Sequence, residues 1–155
     1  MKQLRIALVA HDARKKEFVE WVQSNIEQLQ PHQLYATGTT GRLISEIAAP
    51  DGSHPLADKV VRLLSGPLGG DQQIGAMIAE RKIDILIFFC DNLVMQGHQN
   101  DVSALTRLAS LYNIAFATNR TTADLIFSST LLAEGYEMKV PQCVAKYAAR
   151  NLNDL

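Results

Sequence analysis

Two side chains in this sequence have the chemical type and the neighbours needed to move protons, Asp71 and His98. Asp71 directly follows Gly69-Gly70, and two residues without side chains let a carboxylate come close to a substrate carbon. His98 is one of four histidines, and a neutral imidazole can polarise a carbonyl or carry a proton between two oxygens. Asp71 could equally be a carboxylate that balances a helix dipole, and His98 could be an ordinary surface histidine.

Three more side chains are candidates for supporting roles. Asp101 precedes the predicted helix Val102–Leu111 and is predicted to cap it, although the same carboxylate could orient His98 or act on a substrate. Asp91 ends a predicted strand and could orient a neighbouring group. His11 follows the first predicted strand and could donate a hydrogen bond to a substrate oxygen or a phosphate. Together these residues indicate acid–base chemistry on a small polar molecule.

The stretch Thr37-Gly38-Thr39-Thr40-Gly41 has the composition of a phosphate site. Its glycines let the backbone approach a ligand, and the first N–H groups of a following helix have no internal partner. Lys15, four residues after His11, could add a positive charge. The stretch could also be a turn with a threonine cap, and Lys15 a solvated lysine. The stretch matches neither Gly-x-Gly-x-x-Gly nor a Walker loop, so it does not indicate a dinucleotide or ATP.

Apolar, β-branched runs alternate with stretches of helical periodicity, and this alternation predicts the elements that hold the candidate residues. It is typical of parallel strands joined by right-handed helical crossovers. The predicted strands are Leu4–Ala10, Gln33–Thr37, Val60–Ser65, Ile83–Asp91 and Ile114–Asn119. We therefore predict an α/β fold, a doubly wound sheet of about five mainly parallel strands with helices on both faces and with Ile83–Asp91 at its centre.

Ligands of such sheets bind beyond the carboxyl ends of the strands, so the loops at that edge should hold the unusual residues. Those five loops contain His11-Asp12, then Thr37–Gly41, then Ser65–Asp71, then Asp91 with His98 and Asp101, and lastly Thr118–Thr122. The loop from Asn92 to Asn100 has nine residues, longer than the roughly two to six that are usual between a strand and a helix. This concentration predicts one site at that edge.

The composition fits one domain and argues against several classes of partner. The 155 residues, 47% of them hydrophobic, can bury one core, so we predict a single domain over residues 1–155. A net charge of -1 without a basic stripe argues against nucleic acid or an anionic membrane as partner. Cys90 and Cys143 lack metal-ligand spacing, and neither a secretory signal nor a transmembrane run is recognisable, which predicts reduced thiols in the cytoplasm.

Four stretches together resemble the methylglyoxal synthase family. They are Ala7-Leu8-Val9-Ala10-His11-Asp12, Ala36-Thr37-Gly38-Thr39-Thr40-Gly41, Ser65-Gly66-Pro67-Leu68-Gly69-Gly70-Asp71-Gln72-Gln73 and Ala117-Thr118-Asn119, and the resemblance extends to about Asp124. The resemblance implies a phosphate-eliminating lyase that converts dihydroxyacetone phosphate to methylglyoxal and inorganic phosphate, without a metal or an organic cofactor. It also implies a homohexamer, allosteric regulation by phosphate and a place in a glycolytic bypass.

The resemblance also implies roles for individual residues. Asp71 matches the family's catalytic base, which forms an enediolate. His98 matches a group that contacts the substrate as electrophile or proton shuttle, and Asp101 lies close to the reacting centre. The matching substrate-binding positions are His11, Lys15, Thr37, Gly38, Thr39, Thr40, Ser65 and Gly66.

The chain departs from the family's pattern at two places. Cys90-Asp91-Asn92 stands where the family usually has Trp-Asp-Pro, and we expect this change to loosen the mouth of the pocket. The connection that holds Pro50–Pro55 is longer than usual and should lie away from the pocket. Arg150, beyond the matching region, falls where a C-terminal arginine could reach a neighbouring subunit or a phosphate.

The alternative function is a non-catalytic regulatory module of the same fold that senses a phosphate ligand. Such a module would need Thr37–Gly41 but not Asp71, His98 and Asp101 together. A flavodoxin-like or receiver-type signalling domain would place aromatic flavin contacts or an acidic cluster after the first strand, and His11-Asp12 supplies neither. The joint presence of the two aspartates and the histidine favours the enzyme.

Replacing Thr39 by Ala or Lys15 by Met should weaken substrate binding more than turnover. Phosphate contacts persist in both the ground state and the transition state, so their loss raises the Michaelis constant. Steady-state kinetics with dihydroxyacetone phosphate measure both quantities. Wild-type Michaelis constants combined with reduced turnover in both variants would contradict the phosphate-site assignment.

Overall fold

Five parallel strands form one sheet within residues 2–95 and 97–150, which are the residues that the computed structural model describes. The strands are β1 (Arg5–Ala10), β2 (Gln33–Thr37), β3 (Val60–Leu63), β4 (Ile85–Phe89) and β5 (Ala115–Ala117). Their order is β3-β2-β1-β4-β5, so the chain winds outward from β1 in one direction and then returns to the other side. The predicted doubly wound α/β fold is confirmed, and its switch point lies between β1 and β4.

Helices connect the strands and cover both faces of the sheet. They are α1 (Lys15–Ser24), α2 (Ile26–Leu29), α3 (Gly38–Ser45), α4 (Gly70–Ala79), α5 (Gln99–Leu111), α6 (Arg120–Phe127), α7 (Thr130–Ala133) and α8 (Gln142–Ala148). The sequence around Val144–Leu152 has helical periodicity and predicts a C-terminal helix, which corresponds to α8; residues 151–155 lie outside the described part of the chain. None of the helices in the described residues is long and apolar enough to cross a membrane.

Successive side chains of β1 enter two different cores, because strand residues alternate between the two faces of a sheet. Ile6 and Leu8 pack on the face that α1, α3 and α6 cover, whereas Ala7 and Val9 pack on the face that α4 and α5 cover. All five residues of β4 are buried, as a strand covered on both faces requires. Burial of each large apolar side chain contributes about 1.5–3 kcal/mol to folding.

The central strand is β1, and the prediction that the run Ile83–Asp91 forms the centre was wrong. β4 is fully buried and pairs on both sides, with β1 and with β5, but only β1 has two strands on each side of it. Any interior strand of a parallel sheet needs a continuous apolar run, so apolarity does not rank the interior strands. Strand β4 is also shorter than predicted, since it covers Ile85–Phe89 rather than Ile83–Asp91.

The register of the strands brings the starts of the site loops to one edge of the sheet. Ala10 at the end of β1 pairs with Phe89 at the end of β4. The pattern continues past the strands, because the His11 N–H donates to the Phe89 carbonyl at 3.1 Å and the Gly38 N–H donates to the Leu64 carbonyl at 3.2 Å. The loops that follow β1, β2, β3 and β4 therefore leave the sheet side by side.

An ion pair ties β1 to the start of β4 at the opposite edge. Arg5 donates from Nε to Asp84 Oδ2 at 2.9 Å and from Nη2 to Asp84 Oδ1 at 2.8 Å. Burial acts to raise the pKa of Asp84, but the hydrogen bonds from Arg5 hold that pKa below its ordinary value. The pair fixes the two strands that flank the switch point.

We expect Gly70→Ala to destabilise the fold by at least about 3 kcal/mol, because a Cβ at Gly70 would lie 2.1 Å from the Leu64 carbonyl oxygen, which is backbone and cannot move aside. Gly97→Ala is the matched control, since a Cβ there meets nothing within 4 Å. Urea unfolding of both variants measures the difference. Equal stability of the two variants would contradict the close approach of α4 to the end of β3.

Candidate active site

A cavity of about 220 Å³ opens at the carboxyl edge of the sheet, beside the switch point. Every residue to which the family resemblance assigns a site role lines it, except Asp101. The lining residues are Val9, Ala10, His11, Asp12, Lys15, Thr37, Gly38, Thr39, Thr40, Ser65, Gly66, Pro67, Asp71 and His98. The cavity is smaller than the roughly 300–1,000 Å³ typical of pockets for drug-sized ligands, so it suits a small metabolite.

A hydrogen-bonded pair, Asp71 and His98, forms part of the cavity wall. The distance from Asp71 Oδ2 to His98 Nδ1 is 2.6 Å, and the Asp71 residue is only 2% exposed. The other carboxylate oxygen, Asp71 Oδ1, is buried and has no hydrogen-bond partner among the described residues. Asp71 also lies in the first turn of α4, so it combines the predicted helix-terminal position with a direct contact to the histidine. One oxygen of this carboxylate is therefore held and the other is free to react.

Gly66 makes room for the pair. A Cβ on Gly66 would lie 2.9 Å from His98 Cε1 and 3.1 Å from Asp71 Oδ2, closer than side chains tolerate. Gly69 adopts a φ of 106°, a left-handed conformation that favours glycine, and so turns the chain into α4 just before Asp71. The glycines of this loop therefore leave the space in which the carboxylate and the imidazole meet.

His11 lines the cavity, and one of its two ring nitrogens is left without a partner among the described residues. Its Nδ1 accepts a hydrogen bond from the Asp91 N–H at 2.8 Å, and its Nε2 is buried without a partner among the described residues. Burial lowers the pKa of His11 below its ordinary value, and the His98 ring, 5.6 Å away between ring centres, lowers it further. The ring is therefore neutral at neutral pH with its proton on Nε2, because Nδ1 is occupied as an acceptor.

The N-terminus of α3 forms a second wall. Thr37 occupies the N-cap position, as the cap alternative anticipated, but its side chain makes no capping hydrogen bond. The N–H groups of Thr39 and Thr40 lie in the first turn, where the helix offers them no partner. Gly38, with a φ of 36°, lies so close to Ser65 that a Cβ would be 2.8 Å from the Ser65 Cα. This wall is suited to an anion.

Lys15 lies at the rim and pairs with Asp12, a contact that was not predicted. The Lys15 ammonium donates to the Asp12 carboxylate, which is 95% exposed. The hydrogen bond from Lys15 lowers the pKa of Asp12, so this carboxylate is ionised at neutral pH. The three-residue separation on a helical turn was the signal in the sequence that pointed to this pair.

Asp101 is not the cap of its helix, and that prediction was wrong. Helix α5 begins at Gln99, His98 occupies the N-cap position, and Asp101 lies in the first turn. The helix starts earlier because the N–H groups of Asp101 and Val102 already find the His98 carbonyl, at 2.9 and 3.2 Å. Asp101 lies within 4.8 Å of His98, measured between a carboxylate oxygen and a ring nitrogen, but does not line the cavity.

Asp71, His98 and Asp101 are also the described residues that come nearest to a metal-ligand set. One ligand-type atom from each lies within 4.8 Å of the other two. Asp71 Oδ2 and His98 Nδ1, however, are 2.6 Å apart and share a hydrogen bond, whereas ligand atoms each about 2.0–2.2 Å from a tetrahedral metal stand farther apart. The arrangement fits proton transfer better than a metal site.

The remaining predicted positions lie outside the cavity wall. The Asp91 side chain accepts from the Leu93 N–H, so Asp91 orients His11 through its backbone rather than through its carboxylate. The Pro50–Pro55 connection lies beside residues 23–30, away from the cavity, as predicted. The guanidinium of Arg150 lies 3.6 Å from the centre of the Tyr147 ring. Cys90 is buried in the core between the sheet and α4 with α5, and burial raises the pKa of its thiol to about 11.

The sequence is similar to known proteins over most of its length. The pattern of the family described as MGS-like domain matches residues 17–118. Methylglyoxal synthase of Proteus mirabilis (strain HI4320) is 54% identical over 136 residues, which cover 88% of this chain and 84% of the relative. Methylglyoxal synthase of Vibrio parahaemolyticus serotype O3:K6 (strain RIMD 2210633) is 50% identical over 145 residues, or 94% and 91% of the two chains.

A solved structure shares the fold. The crystal structure of methylglyoxal synthase from Elizabethkingia anophelis NUHP1 matches with a TM-score of 0.78 and 43% sequence identity, covering 97% of this chain and 93% of that chain. A carboxylate–imidazole pair beside an open helix N-terminus, at the carboxyl edge of a doubly wound sheet, is the arrangement of an α/β enzyme site. The chain belongs to the methylglyoxal synthase family and is a lyase of that kind. The alternative of a non-catalytic regulatory module is not favoured.

We expect protein stability to fall as the pH drops below about 6.5, the value for an unperturbed histidine. Burial lowers the pKa of His11 and of His32, so below that pH the unfolded chain binds protons that the folded chain excludes. The loss stops growing once the pH is below the two lowered values, and above about 6.5 these residues add no pH dependence. NMR titration of His11 and urea unfolding across this range provide the test. A His11 pKa at or above the ordinary value would contradict it.

Proposed function

We propose that this chain converts dihydroxyacetone phosphate to methylglyoxal and inorganic phosphate through an enediolate, with Asp71 as the base. The observation that carries the proposal is the Asp71–His98 pair, in which one buried carboxylate oxygen is held by the imidazole and the other has no partner. A desolvated carboxylate oxygen beside an anion-binding helix N-terminus has the chemistry to remove a proton from carbon next to a carbonyl.

The reaction proceeds in two steps. Asp71 removes a proton from the carbon that bears the hydroxyl group, and the electron pair of that C–H bond forms the enediolate with the neighbouring carbonyl carbon. The hydroxyl proton then leaves, an aldehyde forms, and the shifted double bond expels phosphate together with the electrons of its C–O bond. After these two steps the product is an enolate, which takes one of the two removed protons at its terminal carbon and becomes methylglyoxal, while the released phosphate takes the other.

His98 and His11 each act on a different oxygen of the substrate. While Asp71 is ionised, His98 donates its Nδ1 proton to it, so His98 Nε2 is an acceptor suited to take the hydroxyl proton in the second step. The other neutral ring, His11, carries its proton on Nε2 and is the donor suited to the developing enediolate oxygen. Of the two roles expected of His98, these contacts support the proton shuttle more directly than the electrophile. Asp101, with a carboxylate oxygen within 4.8 Å of a His98 ring nitrogen, is close enough to assist.

The phosphate group belongs at the N-terminus of α3. The free N–H groups of Thr39 and Thr40, the hydroxyls beside them and the Lys15 ammonium at the rim offer the donors and the positive charge that a dianionic phosphate needs. Lys15 must exchange its Asp12 partner for the ligand. The Asp12 carboxylate and the substrate phosphate therefore compete for the Lys15 ammonium. Ser65 and Gly66 complete the wall between the phosphate end and the reacting carbon.

We extend the proposal to the remaining properties that the family resemblance implies. These are a homohexamer, regulation by inorganic phosphate, a role in a glycolytic bypass, and a cytoplasmic location. Inorganic phosphate is both product and the minimal ligand of the α3 N-terminus, which gives a direct physical reason for inhibition by it. Neither a metal nor an organic cofactor is needed, since Asp71 and the two histidines supply every proton movement in the scheme.

The direct test is release of methylglyoxal and inorganic phosphate in equal amounts from dihydroxyacetone phosphate by the purified protein. Treatment with a chelator should leave the rate unchanged. Binding of phosphate or phosphoglycolate without product formation would refute the enzyme and support the regulatory module instead.

Asp71→Asn should lower product formation by more than about 10²-fold, because an amide cannot accept the carbon-bound proton. Binding should survive, since the substitution is nearly isosteric and removes a negative charge near an anionic ligand. Phosphoglycolate should therefore still raise the melting temperature of the variant.

Solvent-deuterium exchange at the substrate carbon, measured together with phosphate release, separates the two chemical steps. Asp101→Asn is the matched control, because Asp101 is a carboxylate of the same site that does not line the cavity. If Asp71→Asn keeps either process within tenfold of wild type while Asp101→Asn loses it, Asp101 rather than Asp71 is the base.

A further inference from the structure

One peptide unit at the end of β4 makes two contacts with the loop that follows β1. Its carbonyl, that of Cys90, accepts a hydrogen bond from Arg14 Nη1 at 3.1 Å. Its N–H, that of Asp91, donates to His11 Nδ1 at 2.8 Å. The C=O and the N–H of a trans peptide point in opposite directions within one plane. Arg14 and His11 therefore hold the same peptide from two sides.

The Arg14 side chain is itself fixed by its neighbours. Its Nε and Nη2 donate to Glu17 Oε2 at 3.0 and 2.6 Å, and its guanidinium carbon lies 5.9 Å from the centre of the Phe89 ring. A planar guanidinium with partners on two of its edges and a ring beside it has little rotational freedom. The contact between Arg14 and the Cys90 carbonyl is therefore held in one geometry.

We propose that Arg14 is a positioning residue for His11 that acts through the Cys90–Asp91 peptide. The guanidinium sets the direction of the Asp91 N–H, and its positive charge polarises the peptide and strengthens that N–H as a donor. The strengthened N–H occupies the lone pair of His11 Nδ1, which keeps the proton of the neutral ring on Nε2. Arg14 thereby selects the tautomer of a histidine that lines the cavity.

The peptide that Arg14 holds belongs to the stretch Cys90-Asp91-Asn92, where β4 has ended and the loop to α5 begins. The hydrogen bond from Arg14 to the Cys90 carbonyl fixes the backbone at that point. Arg14 does not line the cavity, so replacing it removes no contact to a substrate. The inference rests on the proposed function only where it connects the His11 tautomer to catalysis.

The test combines histidine NMR with kinetics on the full chain. Arg14→Met removes the donors and keeps an unbranched side chain of good helix propensity. Arg107→Met, at an exposed position of α5, is the matched control. In the wild type and the control, the ¹⁵N signals of His11 should show an unprotonated Nδ1 and a protonated Nε2 at neutral pH. In Arg14→Met both signals should move towards the average of the two tautomers, and kcat/KM should fall roughly tenfold, the loss expected of one charged hydrogen bond.

Two further variants keep the test decisive if Arg14→Met folds poorly. Arg14→Lys can still donate to the Cys90 carbonyl and should restore part of both the tautomer and the rate. Glu17→Gln weakens the anchor of the guanidinium and should move the His11 signals in the same direction by a smaller amount.

The outcomes separate the positioning role from the proposed function. His11 signals that stay at their wild-type positions in the Arg14 variants would overturn the inference, whatever happens to the rate. Shifted signals with a wild-type rate would support the positioning role and refute the part of the proposed function that gives His11 a contact to the substrate.

Discussion

The hydrogen bond between Asp71 and His98 is the constraint on which the rest of the site depends. A carboxylate that is 2% exposed is costly to bury unless a partner satisfies it, and His98 satisfies only one of its oxygens. The loop that follows β4 must therefore pack closely against the first turn of α4, so that His98 reaches Asp71. Gly66 and Gly70 make that approach possible, because each lies where a side chain would collide with the pair or with the end of β3.

The architecture and most of the site could be predicted from the sequence, because both leave strong signals in side-chain type. Alternating apolar runs predicted the parallel sheet, and the rule that ligands bind at the carboxyl edge gathered His11, Thr37–Gly41, Asp71 and His98 into one place. All of these residues except Gly41 line a common cavity. The relatives establish the family, and the cavity establishes which residues lie together. The movement of each proton is what we propose from their contacts.

The features that sequence reasoning missed are made by groups without a side-chain signature. The N–H of Asp91 and the carbonyl of Cys90 exist at every residue, and only the register of β4 against β1 brings them to His11 and Arg14. The helix start before Asp101 depends on which N–H groups reach the His98 carbonyl, a matter of backbone geometry. The central place of β1 likewise depends on strand order, which the pattern of apolar residues does not encode.

The strand order also determines which strand edge stays unpaired while the chain is being synthesised. β1 is made first and pairs early with β2, but its other neighbour is β4, and the Arg5–Asp84 contact between them joins residues 79 positions apart. Until β4 has been synthesised, one side of β1 is an open, apolar strand edge, the kind of surface to which other chains add. The switch point that creates the ligand crevice is therefore also where the nascent chain carries an unpaired apolar edge until β4 is available.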